Sequence, residues 1–320
     1  MIIYDRGIRV LDSSLWLDAH RRAEVGYISH AHADHIRRHD KVLGTPATIR
    51  FFEQRYKKRT ETIVLPYNKP FELENIKIEL FPSGHMLGAS QIMVIKDDMR
   101  LVYTGDFNMY TSETAEKIEI READILIMEA TFGLPHFKFP PRWQVIKQLM
   151  DFIDDCFDHG LIPVIMAYAL GKSQEVVKIL GDRGYEISVY KTIADMTTIY
   201  KDLGVAMSNW QPFQGEDLHR RVMIVPPRLT KWIKGLYPGI VRTAMVTGWA
   251  IDKQMKYRFG ADSVIAMSDH SDFDGLLKYV RKVSPQKIFV THGYNEFVHA
   301  LKQDGFNASP LVSEPQLSLF

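Results

Sequence analysis

The sequence predicts an α/β protein in which a parallel-sheet domain is set into the middle of a strand-rich one. Three observations carry this. Residues 161–168 form one continuous apolar run, as expected of a strand buried on both faces of a parallel sheet. Across about 141–256, strands at 187–190, 222–225 and 241–247 alternate with helices reaching 180, spanning 193–203 and running through 233. On either side lie short strands whose ends carry histidines and acids, most densely at 30–35.

With 320 residues, 46% of them apolar and 25% charged, the chain can hold one large or two medium domains of ordinary globular make-up. The formal charge of +1 excludes binding of polyanions through net charge alone. Any nucleic-acid contact must come from local patches such as Arg37-Arg38, 55–59, Arg220-Arg221, and Lys231 with Lys234. A single cysteine, Cys156, excludes an internal disulfide and fits a reducing, cytoplasmic setting. Its neighbours Phe152, Ile153 and Phe157 place it in a helix core. No basic-then-apolar segment opens the sequence, so no signal peptide is expected, and no apolar run approaches bilayer length.

The stretch His30-Ala31-His32-Ala33-Asp34-His35 gathers three of twelve histidines and a carboxylate into six positions. The apolar run 25–29 reads as a strand leading into it. Side chains two apart on an extended chain share a side, so His30, His32 and Asp34 are expected to aim at one point. His35 would face a neighbouring point where the chain turns. Two imidazoles for one ion, and a carboxylate with an imidazole for another, is the natural division. Neutral imidazole suits Zn, Mn and Fe, and a carboxylate adds charge. The bland reading, a His-rich polar loop, leaves imidazoles that repel one another when protonated.

Further candidates sit at strand ends. Asp18 closes 15–18; His85 stands beside Gly84 between strands 76–81 and 89–95; 101–104 runs into Gly105-Asp106. Glu129 ends the apolar strand 124–129, where α/β sheets place their sites. Ser268-Asp269-His270-Ser271-Asp272 follows strand 264–267, and His292-Gly293 follows 287–291. Gly171-Lys172-Ser173 resembles a phosphate-binding helix start, without the upstream glycine of a P-loop.

The 30–35 stretch resembles the HxHxDH signature of the metallo-β-lactamase superfamily, which implies an αββα sandwich with a one- or two-metal site at one edge. Glu129, His270 and His292, flanking an α/β insertion, resemble the extra motifs of its β-CASP branch of nucleases, whose insertion acts as a lid over nucleic acid. Other stretches resemble the bacterial ligase-associated DNA exonucleases. These are Ala130-Thr131-Phe132-Gly133-Leu134-Pro135, Pro140-Pro141, Thr247-Gly248-Trp249, the segment around His270, and Val290-Thr291-His292-Gly293-Tyr294. The similarity covers nearly the whole chain. It implies a metallo-β-lactamase domain of 1–140 and 257–310, a β-CASP-like cap of 141–256 and a tail of 311–320.

The resemblance also implies a ligand set. His30, His32 and His85 would take one Zn or Mn ion, and Asp34, His35 and His292 a second, with Asp106 bridging. Asp18 would orient a ligand from behind, although Ala19 stands where proline is usual. A hydroxide held between the metals would attack phosphorus and leave 5′-phosphate and 3′-hydroxyl ends. His270 would protonate the leaving oxygen and Glu129 would orient His270. Lys172, Thr247, Ser268 and Ser271 are candidate phosphate contacts.

The last residues, Gln316-Leu317-Ser318-Leu319-Phe320, resemble the pentapeptide by which bacterial repair proteins bind the sliding clamp. Leu317, Leu319 and Phe320 would be apolar anchors and Gln316 a hydrogen-bonding partner. This points to DNA repair, and the family resemblance to a link with an ATP-dependent DNA ligase. RNA processing is the main alternative, because across the wider branch a histidine at the His292 position goes with RNA-cleaving members. A small-molecule hydrolase would lack the insertion and the Glu129/His270 pair, and a non-catalytic clamp-binding scaffold would have lost ligands that are all present.

Overall fold

The computed structural model describes residues 1–57 and 59–312. These fall into two compact units: Met1–Thr111, Ala115–Phe137 and His270 onward form one, and Ser112–Thr114 with Lys138–Asp269 the other.

The first unit opens with β1 (Ile2–Tyr4), β2 (Ile8–Val10), β3 (Leu15–Leu17), β4 (Val25–Tyr27) and β5 (Lys41–Gly44). Helix α1 (Pro46–Tyr56) connects β5 to β6 (Glu61–Val64), and these six strands lie side by side in chain order. Thr45 starts α1 by accepting from the Thr48 amide, with Pro46 in the first turn. Five strands follow: β7 (Phe71–Leu73), β8 (Ile76–Pro82), β9 (Ser90–Lys96), β10 (Met99–Tyr103) and β11 (Ile125–Ala130).

The second unit contains α2 (Arg142–Asp158), β12 (Ile162–Met166), α3 (Lys172–Gly181), β13 (Glu186–Val189), α4 (Lys191–Asp202), β14 (Trp210–Pro212), β15 (Arg221–Val225), α5 (Thr230–Leu236), β16 (Val241–Val246), α6 (Met255–Phe259) and β17 (Ser263–Ile265). Its six strands pair in parallel in the order β14-β13-β15-β12-β16-β17. Ile165, Val222, Ile224, Ala244 and Val246 face one core, while Val164, Met166, Met223, Val225 and Met245 face another. Both faces are buried, which is why these strands read as continuous apolar runs. Each fully buried aliphatic side chain stabilises the fold by about 1.5–3 kcal/mol. The unit runs on to Asp269, beyond the boundary at 256 expected from sequence, because β17 pairs with β16 instead of joining the outer domain.

The chain then returns to the first unit through α7 (Phe273–Val283), β18 (Lys287–Gly293), α8 (Asn295–Gln303) and β19 (Ala308–Pro310). Its second sheet has the order β19-β18-β11-β10-β9-β8-β7. Period-two alternation splits these strands between two cores. Ile78, Leu80, Leu101, Tyr103 and Ile127 face the first sheet's Leu15, Leu17, Tyr27 and Leu43. Phe81, Val102, Leu126 and Met128 pack under Leu276, Tyr279, Val280 and Val283 of α7 and Phe297 of α8. The α7 residues recur at helical spacing, and Asp272 caps that helix by accepting from Gly275. With α1 against β5 and β6, the unit is the αββα sandwich expected from the resemblance. Among the described residues no helix is long and apolar enough to cross a membrane.

Candidate active site

The candidate site is built at strand ends of the first unit. His30, His85 and Asp106 each stand three residues beyond the last residue of β4, β8 and β10 respectively, while Glu129 and His292 are the penultimate residues of β11 and β18. Buried strands fix where these side chains begin, and the short loops aim them.

The 30–35 stretch does not remain extended as expected. A turn forms at 33–35, with the His35 and Ile36 amides donating to the His32 carbonyl. Hydrogen bonding within the turn therefore overrides the alternation. It separates His32 from Asp34, whose side chain is 76% exposed and whose Oδ2 lies 3.9 Å from His35 Nε2. His30, His32, His85 and Asp106 come together, their ligand atoms all within 4.8 Å of one another. Asp106 Oδ2 lies 3.5 Å from Nε2 of both His30 and His35, and 3.9 Å from that of His85. One carboxylate oxygen thus stands between the two histidine groups. His292 is exposed, with its ring 5.7 Å from that of His35.

Gly105 makes this arrangement possible. Its φ is +53°, and a Cβ there would sit 2.5 Å from the Ser29 Cβ and 2.6 Å from its hydroxyl. We expect Gly105→Ala to cost about 1–2 kcal/mol from the left-handed backbone alone and to weaken metal binding by displacing Ser29. Denaturant unfolding and metal titration would show both; an unchanged variant would mean that this segment shifts freely.

The electrostatics suit a cation. Burial, reinforced by His35 and His85, holds the His30 pKa well below its usual value and keeps the ring neutral. Burial also opposes charge on His35, but Asp106 and Asp18 outweigh it and push its pKa well up. Asp106 is likewise buried, yet His35, His270 and His30 hold its carboxyl well below the usual range. His30 Nε2 is buried and has no hydrogen-bond partner among the described residues. A lone imidazole nitrogen facing a carboxylate and two further imidazoles is what a Zn- or Mn-type ion would satisfy. The residues therefore fit a divalent metal.

Beside this cluster, His270 Nδ1 lies 2.8 Å from Glu129 Oε1, and the His270 and His85 rings are 4.7 Å apart. The Glu129 carboxylate also accepts from the Phe107 amide at 3.1 Å, the Thr131 amide at 3.0 Å and the Thr131 hydroxyl. Four donors leave Glu129 little freedom, so it holds His270 in one orientation.

Asp18 is buried. It accepts from the Ser29 amide (2.8 Å), the Ser29 hydroxyl (2.6 Å), the Tyr103 hydroxyl (2.8 Å) and His35 Nδ1 (2.7 Å). Ser29, Tyr103 and Thr131 were not evident as site residues from sequence. For Ser29 and Thr131 the signal was adjacency, since Ser29 precedes His30 and Thr131 follows Glu129 by two.

Three of the four candidate phosphate contacts are committed elsewhere. Lys172 is buried and ion-paired to Asp269 at 3.1 Å within the second unit. The helix start it belongs to is closed by Gln174, which accepts from the Gly171 amide, so the glycine-lysine-serine entry is structural. Thr247 is buried and caps the turn 248–251 by accepting from the Trp249 amide. The Ser271 hydroxyl is buried and accepts from the Met109 amide. Ser268 is half-buried. Gln316, Leu317, Leu319 and Phe320, the expected clamp-binding residues, lie outside the described residues.

The αββα unit and its histidine–aspartate cluster define a metallo-hydrolase. Residues 258–306 match the family described as the Zn-dependent metallo-hydrolase RNA specificity domain. A probable DNA ligase of Opitutus terrae is 32% identical over 321 residues, covering 99% of this chain and 31% of that protein. An RNase aCSPSF2 of Saccharolobus solfataricus is 27% identical over 237 residues, 60% of this chain and 48% of that one. Endoribonuclease YSH1 of Kluyveromyces lactis is 29% identical over 126 residues, 39% of this chain and 16% of that one. The chain thus spans less than half the length of these relatives. A crystal structure of a protein of unknown function from Enterococcus faecalis has the same fold, with TM-score 0.63 at 12% identity over 91% of this chain and 79% of that one. This chain belongs to the β-CASP branch of the metallo-β-lactamase superfamily.

Proposed function

We propose that the chain is a two-metal-dependent DNA exonuclease of DNA repair, linked to an ATP-dependent ligase and to the sliding clamp. The observation that carries nuclease chemistry is the set His30, His32, His85 and Asp106, in which His30 Nε2 has no hydrogen-bond partner among the described residues, beside the His270–Glu129 pair. Two bound dications, zinc or manganese, would polarise the scissile phosphate and lower the pKa of the attacking water. Asp106 would serve both ions, and Asp34, His35 and His292 would hold the more open one. His270, gripped at Nδ1 by Glu129, gives the departing oxygen a proton from its other nitrogen. DNA is favoured by the relative matched along 99% of this chain, itself named a probable DNA ligase, and by the Gln316–Phe320 pentapeptide.

A second reading, cleavage of RNA, is favoured by the description of the matched domain and by relatives named as ribonucleases. The test is incubation with end-labelled single-stranded DNA and RNA of one sequence, with zinc or manganese. We expect stepwise, chelator-sensitive loss of the DNA; selective cutting of the RNA would establish the second reading instead. Cleavage of neither by metal-loaded protein would remove both.

A further inference from the structure

The bonds behind the metal cluster point to a positioning role for a residue that contacts no substrate. We infer that Ser29 sets the ring-nitrogen roles of His30, passing the hold of Asp18 through its hydroxyl, so that one buried carboxylate organises a histidine in each of the two metal groups. This rests on the metal-site reading above.

Asp18 Oδ2 is approached by three donors: the Ser29 hydroxyl at 2.6 Å, His35 Nδ1 at 2.7 Å and the Tyr103 hydroxyl at 2.8 Å. Asp18 Oδ1 takes the Ser29 amide at 2.8 Å. The carboxylate is therefore an acceptor throughout. A serine hydroxyl has one proton. At 2.6 Å from a carboxylate oxygen that proton must point at Asp18, since two oxygens so close with no proton between them would repel. The hydroxyl can then only accept from His30 Nδ1, 3.0 Å away. His30 Nδ1 thus carries a proton, which leaves Nε2 to face Asp106 Oδ2 at 3.5 Å, and among the described residues Nε2 has no hydrogen-bond partner. His35 reaches the same Asp18 oxygen directly through its own Nδ1 and likewise turns Nε2 toward Asp106. The two rings lie 4.2 Å apart; His35 reaches Asp18 Oδ2 directly and His30 reaches it through the Ser29 hydroxyl. Outer partners of this kind fix ligand orientation and commonly change metal affinity by about 10–100-fold when lost.

Tyr103 supplies the control. It donates to the same Asp18 oxygen, and no bond of its own to His30 is found among the described residues. The first experiment is 15N–1H correlation of histidine-labelled, metal-free protein, with the His30 signals assigned by a His30→Gln variant. We expect a proton on Nδ1 of His30 in the unaltered protein and in Tyr103→Phe, and its loss or exchange between nitrogens in Ser29→Ala. Zinc affinity is then measured by chelator competition. Ser29→Ala should weaken one of two sites by about 10–100-fold while the other holds. A proton on Nε2 of His30 in the unaltered protein, or full zinc affinity at both sites in Ser29→Ala, would overturn the inference. Absence of zinc binding by the unaltered protein would instead overturn the metal-site reading, and the nitrogen assignment would still stand or fall on the spectra.

Discussion

Replacing His270 with alanine is expected to lower turnover by about 10²–10⁴-fold, the usual worth of a positioned proton donor, while metal content stays the same. The imidazole is held at Nδ1 by Glu129, which is itself held by Phe107 and Thr131, so truncation removes the donor and leaves its supports standing. None of the His30, His32, His85 and Asp106 side chains is altered. Metal content is the deciding readout, because His270 also clusters with Asp106 and Glu129, their ligand atoms within 4.8 Å. If metal were lost in proportion to activity, His270 would be a ligand. Each Glu129 oxygen already accepts two hydrogen bonds, which favours the proton-donor role.

Asp106→Asn should have the largest effect on metal binding. The change keeps size and removes charge at the one oxygen that stands near Nε2 of His30, His35 and His85. Without that charge, two dications would lose the group that offsets their mutual repulsion. The expected loss of affinity exceeds the roughly 10–100-fold that follows loss of an outer partner, and turnover should fall with it. Metal analysis after dialysis, and thermal melting with and without zinc, would show this. The unaltered protein should gain stability from zinc in proportion to the logarithm of its concentration above Kd, and the variant much less. A variant that kept two ions and its activity would reduce Asp106 to a structural role.

Much of the fold was legible because burial leaves a period in the sequence. Strands β12, β15 and β16 are apolar on both faces and read as parallel strands, and α7 shows its buried stripe at Leu276, Tyr279, Val280 and Val283. The boundary at 256 was misplaced because Val264 and Ile265 carry no sign of which sheet will take them; pairing of β17 with β16 settles it. Lys172, Thr247 and Ser271 have side chains suited to phosphate, and only the tertiary structure shows that all three are buried, Lys172 against Asp269 and the two hydroxyls accepting from the Trp249 and Met109 amides.

For the candidate site, the sequence by itself determined which residue types are present and how closely His30, His32, Asp34 and His35 are spaced. That was enough to indicate a metal. Tertiary structure decided the rest: the turn at 33–35 that separates Asp34 from His32, the meeting of His85 and Asp106 with His30, and the hold of Asp18 on Ser29, Tyr103 and His35. The physical reason is that a hydrogen bond or a shared ligand depends on angstrom distances between strand ends. Asp18 and Tyr103 are 85 positions apart in the chain, and only the pairing of strands sets them 2.8 Å apart.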